Sequence, residues 1–335
     1  MKISVSGAFS NFETYYGYGK AAKNILNGFD ENGLEWYVDY KSADIEIFWG
    51  HPPYNFQTYS KSYKIGYTAW ESTEFKRDWL ESMLEDSDEL WTPSYWLSDL
   101  FAQKTGKPTF TYEHGVSKNW KPKRHYRDKS RPFTFLHIGE PQLRKNGQMV
   151  VDAFAELFGD NENYKLVMKS SGMNTTRIWN RSGSIIGTPQ GVYKNIILLE
   201  QMMEEEMLIE LHDKVDCLIY PTAGEGFGFH PLEAMAAGLP TITTTGWCNY
   251  KKFITLELED SLSRSEYQSL HPGDMFNPNY EDVKNKMIDM SENYERYAEL
   301  AFKNSFKIHE EYDWDKVNYK AAKKLKASTL FFIIV

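Results

Sequence analysis

Two carboxylates separated by seven residues, Glu225 and Glu233, stand in one stretch of the chain, Asp216 to Gly246, which also carries Gly224, Gly226 and Gly228. Glycine loops leave backbone N–H groups open to a ligand, and a helix that follows such a loop turns its positive end toward it. Together they suit a phosphate or a pyrophosphate. Carboxylates there repel phosphate but accept hydrogen bonds from hydroxyls. A ligand with both phosphates and a hydroxyl-rich sugar satisfies the whole set. A plainer reading also fits these residues: the glycines make a turn and Glu233 complements a helix dipole.

The elements around these residues read as strand, loop, helix, strand. Asp216 to Tyr220 is a short apolar run of strand length. Pro231 suits the first turn of a helix, where a missing N–H costs nothing. Gly238 and Pro240 close that helix, and the β-branched run Thr241 to Thr245 predicts the next strand. In open parallel sheets ligands bind at the strand ends that carry such loops. The same order recurs along the chain, which predicts α/β architecture with parallel sheets covered on both faces. Lys2–Gly7 is followed by Gly17, Gly19 and a helix from about Lys20 to Phe29. Further strands are expected at 34–40, 44–49, 63–70, 89–92 and 108–112, and helices after Glu71 and at 94–103. Beyond residue 131 a second such domain begins, with strands at 131–138, 164–169 and 195–199. Helices are expected near 281–294 and 294–308, with a last one from Trp314 to about Lys326. The domains are expected at 1–130 and 131–310, with 311–335 returning to the first.

Composition bounds the function. The 335 residues suffice for two domains, and 41% hydrophobic with 25% charged residues is the balance of a folded globular protein. A net charge of −9 argues against a protein that coats nucleic acid through overall charge. Two cysteines, Cys217 and Cys248, make no disulfide framework or zinc spacing, so a cytoplasmic location is expected. The first residues read as a strand and the final apolar run is too short to span a bilayer, so no integral membrane segment is expected. Asp86-Ser87-Asp88 has the form of a metal-binding D-x-D but ends a helix, and reads as a solvated turn. Between the two domains, Lys118 to Arg131 holds seven Lys or Arg in fourteen residues. That is a solvated linker, or a basic strip able to guide a polyanionic acceptor.

Glu225 through Pro240, E-G-F-G-x-x-x-x-E-A-M-A-x-G-x-P, resembles the donor-site signature of family 4, the retaining glycosyltransferases of GT-B fold. Gly139-Glu140-Pro141-Gln142-Leu143-Arg144-Lys145-Asn146-Gly147 resembles the family's second signature, whose Arg and Lys hold the donor diphosphate. The segments LWTPSYW and EHGVSKNWKP resemble two landmarks of its first domain. The resemblance implies two Rossmann-like domains with parallel sheets facing across a cleft, and transfer of a sugar from a nucleotide diphosphosugar, UDP-glucose by family frequency, to a hydroxyl. It places Glu225 on the sugar hydroxyls and Glu233 on the ribose. The amides of Gly226, Phe227 and Gly228 fall near sugar and diphosphate, and Gly139, Arg144, Lys145, Lys169 and Glu200 line the rest of the donor site. Fixed cations suit a diphosphate on which charge builds as the sugar bond breaks, so the resemblance implies neither cofactor nor metal. Gly17 and Gly19 would approach the phosphates from the acceptor side. The family's Arg after the first glycine is replaced by Glu140, and its first-domain histidine is missing; Glu71, ahead of His51, stands as the replacement. His114 reads as a packing residue. The acceptor is then a glycan or lipid, with a hydroxylated base in DNA as the alternative. A nucleotide-sugar binder without turnover is the reading from a different class.

Overall fold

The computed structural model describes residues 1–10, 17–50, 56, 61–171 and 194–332, with side chains described up to residue 327. The chain divides into two compact units, Met1–Ser117 with Glu311–Val335, and Lys118–Glu310. The boundary therefore falls ahead of the basic segment, which belongs with the second unit.

The first unit is built on six parallel strands: β1 (Lys2–Gly7), β2 (Glu35–Val38), β3 (Ile45–Trp49), β4 (Tyr63–Tyr67), β5 (Glu89–Thr92) and β6 (Thr109–Thr111), in the order β2-β1-β3-β4-β5-β6. The helices are α1 (Gly17–Glu31), α2 (Arg77–Asp86) and α3 (Tyr95–Thr105). Helix α3 stops where Gly106 adopts φ 67° and returns its N–H to the Ala102 carbonyl. Gly17 and Gly19 lie in the first turn of α1 rather than in a loop before it. Asp86 ends α2, and Asp88 accepts the Lys64 N–H at 2.8 Å, so the D-x-D is a turn between helix and sheet.

The second unit repeats the plan in β7 (Phe133–Ile138), α4 (Gly147–Phe158), β8 (Tyr164–Ser170), β9 (Ile196–Glu200), α5 (Glu205–Asp213), β10 (Cys217–Tyr220), α6 (Phe229–Ala236), β11 (Thr241–Thr243) and β12 (Leu256–Glu257). Its strand order, β12-β11-β10-β7-β8-β9, is that of a doubly wound sheet. Chain direction around the sheet reverses between β7 and β10, and in such sheets ligands bind at the C-terminal ends of the strands at that point. A feature absent from the sequence expectations follows, the antiparallel hairpin β13 (Asp260–Arg264) and β14 (Asp274–Pro278). Helix α7 (Tyr280–Glu292) starts on Asn279, whose side chain accepts the Glu281 and Asp282 N–H groups. Phe135, Val150, Phe154, Leu166, Ile219 and Met287 sit in the core between sheet and helices. Helix α8 (Tyr294–Glu311) completes the unit.

Helix α9 (Trp314–Phe332) belongs to the first unit. Val116 and Asp313 form a bridge, and the Asn318 side chain accepts from the Tyr112 hydroxyl and donates to the Asn24 carbonyl.

The basic segment has structural work in the second unit. The Lys123 N–H donates to the Ala237 carbonyl at the end of α6, and a Cβ on Gly238 (φ +79°) would meet the Lys123 carbonyl at 2.2 Å. Lys123 pairs with Asp213 and Arg124 with Glu299. Arg131 forks onto Asp216 with two contacts of 2.8 Å, and that fully buried carboxylate also accepts the Thr134 N–H. Removing one partner of a buried pair strands the other charge. Arg131→Met is expected to lower stability by about 2–3 kcal/mol in urea titrations, discounted for the partly exposed guanidinium. Lys129→Met, on an exposed residue of the same segment, should change it by less than about 0.5 kcal/mol.

Candidate active site at the strand switch point

The β7–β10 ladder pairs Phe135 with Cys217 and Leu136 with Leu218. At the next step His137 takes over with its side chain: Nδ1 lies 3.0 Å from the Ile219 carbonyl, so that nitrogen carries the proton and donates. The two strands then open into the loops that carry the predicted site residues.

After β7 the chain runs through Gly139 into a single 3-10 turn, Leu143–Lys145, closed by Asn146 in the left-handed region at φ 53°. This turn aims Arg144 and Lys145 at the loop after β10, and the Ala223 N–H donates to the Arg144 carbonyl at 2.7 Å to fix it there. Asn146 holds the same loop through the Pro221 carbonyl. After β10, residues 221–228 are all buried. Gly228 precedes α6 with φ +85°, and a Cβ there would meet the Trp247 ring at 2.6 Å and the Tyr250 hydroxyl at 2.7 Å. Only glycine meets both demands. The Tyr250 hydroxyl donates to the Phe227 and Gly228 carbonyls, and the Phe227 ring packs edge-on against Phe229 and Tyr250. Phe227 is thus a buried packing residue as well as a source of backbone amide.

Glu225 is the centre of the arrangement. One carboxylate oxygen, Oε1, receives Arg144 Nη1 at 3.0 Å, the Lys145 ammonium, the Tyr220 hydroxyl at 2.9 Å and the Thr222 hydroxyl at 2.9 Å. Arg144 also donates to the Gly224 carbonyl, and Lys145 to the Tyr220 hydroxyl. Burial by itself pushes the Glu225 carboxyl up, but Lys145 and then Arg144 outweigh it and hold the group down at about 2. The carboxylate stays ionised and its charge is matched.

Glu233 lies two residues further into α6 than expected, because the helix opens at Phe229 and Pro231 is its third residue. Its carboxylate is buried, 3.8 Å from His230 Nδ1. Lys169, near the end of β8, is buried; burial pulls its ammonium down while Glu140 works against the shift. Glu140 accepts the Ser171 N–H at 2.8 Å, so the residue standing in place of an arginine ties the loop after β7 to the end of β8. Glu200 ends β9 and is exposed. The described part of the second unit therefore brings Gly139, Arg144, Lys145, Glu225, Gly226, Phe227 and Gly228 together where the loops after β7 and β10 meet. Lys169 and Glu200 end the strands that continue the sheet from β7. Glu71, partly buried, follows β4 in the first unit, and the first turn of α1 with Gly17 and Gly19 follows β1. His51 and residues 172–193 lie outside the described residues. Among the described residues no three His, Cys, Asp or Glu side chains are grouped to hold a metal, and no helix is long and apolar enough to cross a membrane.

Three participants escaped the sequence. Tyr220 and Thr222 read as the end of an apolar strand and a loop residue; only the fold turns their hydroxyls onto Glu225. His137 sits in an apolar strand. It is fully buried beneath the cation loop, with Nε2 3.3 Å from where a Cβ on Gly147 would lie and without a hydrogen-bond partner.

Two doubly wound parallel sheets, each with helices between its strands, are the arrangement of the GT-B fold. Residues 118–259 match the family described as glycosyl transferases group 1. The serotype-specific mannosyltransferase WbdA of Escherichia coli is 31% identical over 110 residues, 32% of this chain and 13% of WbdA, so the likeness spans a small part of that protein. Among solved structures, Anabaena HepE in complex with UDP and glucose superposes with a TM-score of 0.65 at 12% identity, covering 98% of this chain and 100% of HepE. The lipopolysaccharide outer core galactosyltransferase WaaB gives 0.63 at 14% identity, covering 97% of this chain and 100% of WaaB. At such identities these likenesses speak to fold.

The buried imidazole carries a pH signature. Burial pushes His137 from 6.5 down to about 4, Lys145 adding to the shift and the Ile219 carbonyl opposing it. The unfolded chain then takes up a proton that the folded chain refuses, so stability falls as pH drops from 6.5 toward 4. In His137→Leu the slope of stability against pH in that window should be shallower by up to about 1.4 kcal/mol per pH unit, read by denaturant titration at each pH.

Proposed function

We propose that this chain is a retaining glycosyltransferase that moves a sugar from a nucleotide diphosphosugar to a hydroxyl of a saccharide or lipid. The observation that carries the reading is the convergence of Arg144 and Lys145 on the buried loop 221–228, at the switch point of a doubly wound sheet. Two fixed cations beside a glycine loop and a helix start supply the positive field that a departing nucleoside diphosphate needs, and they supply it without a metal. Glu225 and Glu233 add acceptors for sugar and ribose hydroxyls, Lys169 and Glu200 extend the donor site along β8 and β9, and the first unit, with Glu71, is assigned to the acceptor.

In the reaction the bond from the anomeric carbon to the β-phosphate oxygen breaks and both electrons leave with the diphosphate. The acceptor oxygen bonds to the same face of that carbon, and its proton passes to the departing phosphate oxygen. Lys145 and Arg144 spread the charge that develops there. UDP-glucose stands first among donors, supported by the nucleotide and sugar named for HepE; the name of WbdA adds a mannose donor for comparison. The lipopolysaccharide outer core named for WaaB supports a saccharide acceptor.

The test is a thermal-shift panel of UDP, GDP and ADP sugars. A donor at about a hundred times its dissociation constant should stabilise the protein by about 2.7 kcal/mol, and Lys145→Ala should abolish the shift and lower kcat about 100-fold or more. Product retaining the donor's anomeric configuration by NMR completes the reading. Flat melting curves across all donors would overturn it.

A further inference from the structure

The four donors on Glu225 Oε1 include both cations that the proposed function gives to the donor diphosphate. Arg144 and Lys145 cannot neutralise Glu225 and a diphosphate at full strength together, because each carries one charge. We infer that Glu225 is the internal counter-ion of Arg144 and Lys145, and that it makes the enzyme discriminate the intact nucleotide sugar from the spent nucleoside diphosphate.

The chemistry of the two ligands decides the outcome. When a diphosphate draws the cations away, the Glu225 carboxylate is left buried with the Tyr220 and Thr222 hydroxyls alone. A buried charge that loses its partners costs several kcal/mol unless new donors arrive. The hydroxyls of a donor sugar are such donors, and a bare nucleoside diphosphate brings none. The intact donor therefore repays the exchange and the spent nucleotide does not. After transfer, Glu225 draws Lys145 and Arg144 back and the leaving nucleotide loses its hold. The geometry favours easy return, since Arg144 stays anchored by the Gly224 carbonyl and Lys145 by the Tyr220 hydroxyl. Glu225 thus has two tasks, orienting the sugar and expelling the product.

This inference rests on the donor-site reading, and the test separates the two. Binding of UDP, GDP and ADP, and of the matching nucleotide sugars, is measured by calorimetry for the wild type and for Glu225→Gln. The amide keeps the size and the hydroxyl contacts but frees the cations. The dissociation constant of the bare diphosphate is expected to fall about tenfold in Glu225→Gln, while that of the nucleotide sugar stays level or rises, so that the preference for the intact donor collapses. Product inhibition should strengthen in the same proportion. Glu225→Asp, whose carboxylate is one methylene short of the cations, should give an intermediate tightening and serves if the glutamine variant does not fold. If the wild type binds no nucleotide at all, the donor-site reading fails. If it binds and either folded variant binds the bare diphosphate no better than the wild type, the counter-ion role is wrong and Glu225 acts on the sugar alone.

Discussion

The buried carboxylate of Glu225, held by Arg144 and Lys145, is the constraint on which the rest of the second unit depends, because a charge in that position must be matched or expelled. Matching it requires the 3-10 turn after β7 and the loop after β10 to meet, which they do through the Ala223 N–H on the Arg144 carbonyl and Asn146 on the Pro221 carbonyl. Those loops can meet only because β7 and β10 are neighbours, and they are neighbours because the sheet reverses its winding direction between them. Ion pair, loop closure and strand order form one chain of dependence. The carboxyl is held down at about 2, so its contribution to stability is present above the range of an ordinary carboxylate and is lost as pH falls through that value.

The second constraint is backbone space. The loop that carries Glu225 is buried over its whole length, and a buried loop must find partners for its peptide groups. Tyr250 uses its hydroxyl on carbonyls of the loop, and the Thr244 hydroxyl donates to the Thr222 carbonyl. Gly228 and Gly238, both at positive φ, open and close α6 where a side chain would strike an aromatic ring or a carbonyl. A loop built this way holds the backbone that carries Glu225 and the amides of residues 226–228 in place.

The basic segment shows what a composition signal leaves out. Seven cations in fourteen residues look like a surface for a polyanion. In the fold Lys123, Arg124 and Arg131 pair with Asp213, Glu299 and Asp216, and the Arg127 guanidinium donates to carbonyls of its own segment. The acids that answer them lie tens of residues away in sequence, so no local reading could find them. Glu140 is a parallel case. It departs from the expected arginine, yet its carboxylate serves the Ser171 amide, a contact between two strand ends that only the parallel register of β7 and β8 creates.

What the sequence by itself determined was the α/β plan, most strands and helices to within a few residues, and the two motifs, around Lys145 and around Glu225, on which the proposed donor site rests. Those signals are local: apolar runs of strand length, capping residues, and a motif whose spacing is fixed by one loop and one helix. Its limits were local too, since the start of α6 at Phe229, the first turn of α1 through Gly17 and Gly19, and the β13–β14 hairpin went unread. Tertiary structure alone decided the strand order, the meeting of Arg144 and Lys145 with Glu225, and the roles of Tyr220, Thr222 and His137. Each of those depends on two segments coming within hydrogen-bond distance across the sheet. A buried hydroxyl or imidazole acquires its meaning from the partner placed opposite, and that partner is set by strand order, not by neighbours in the chain.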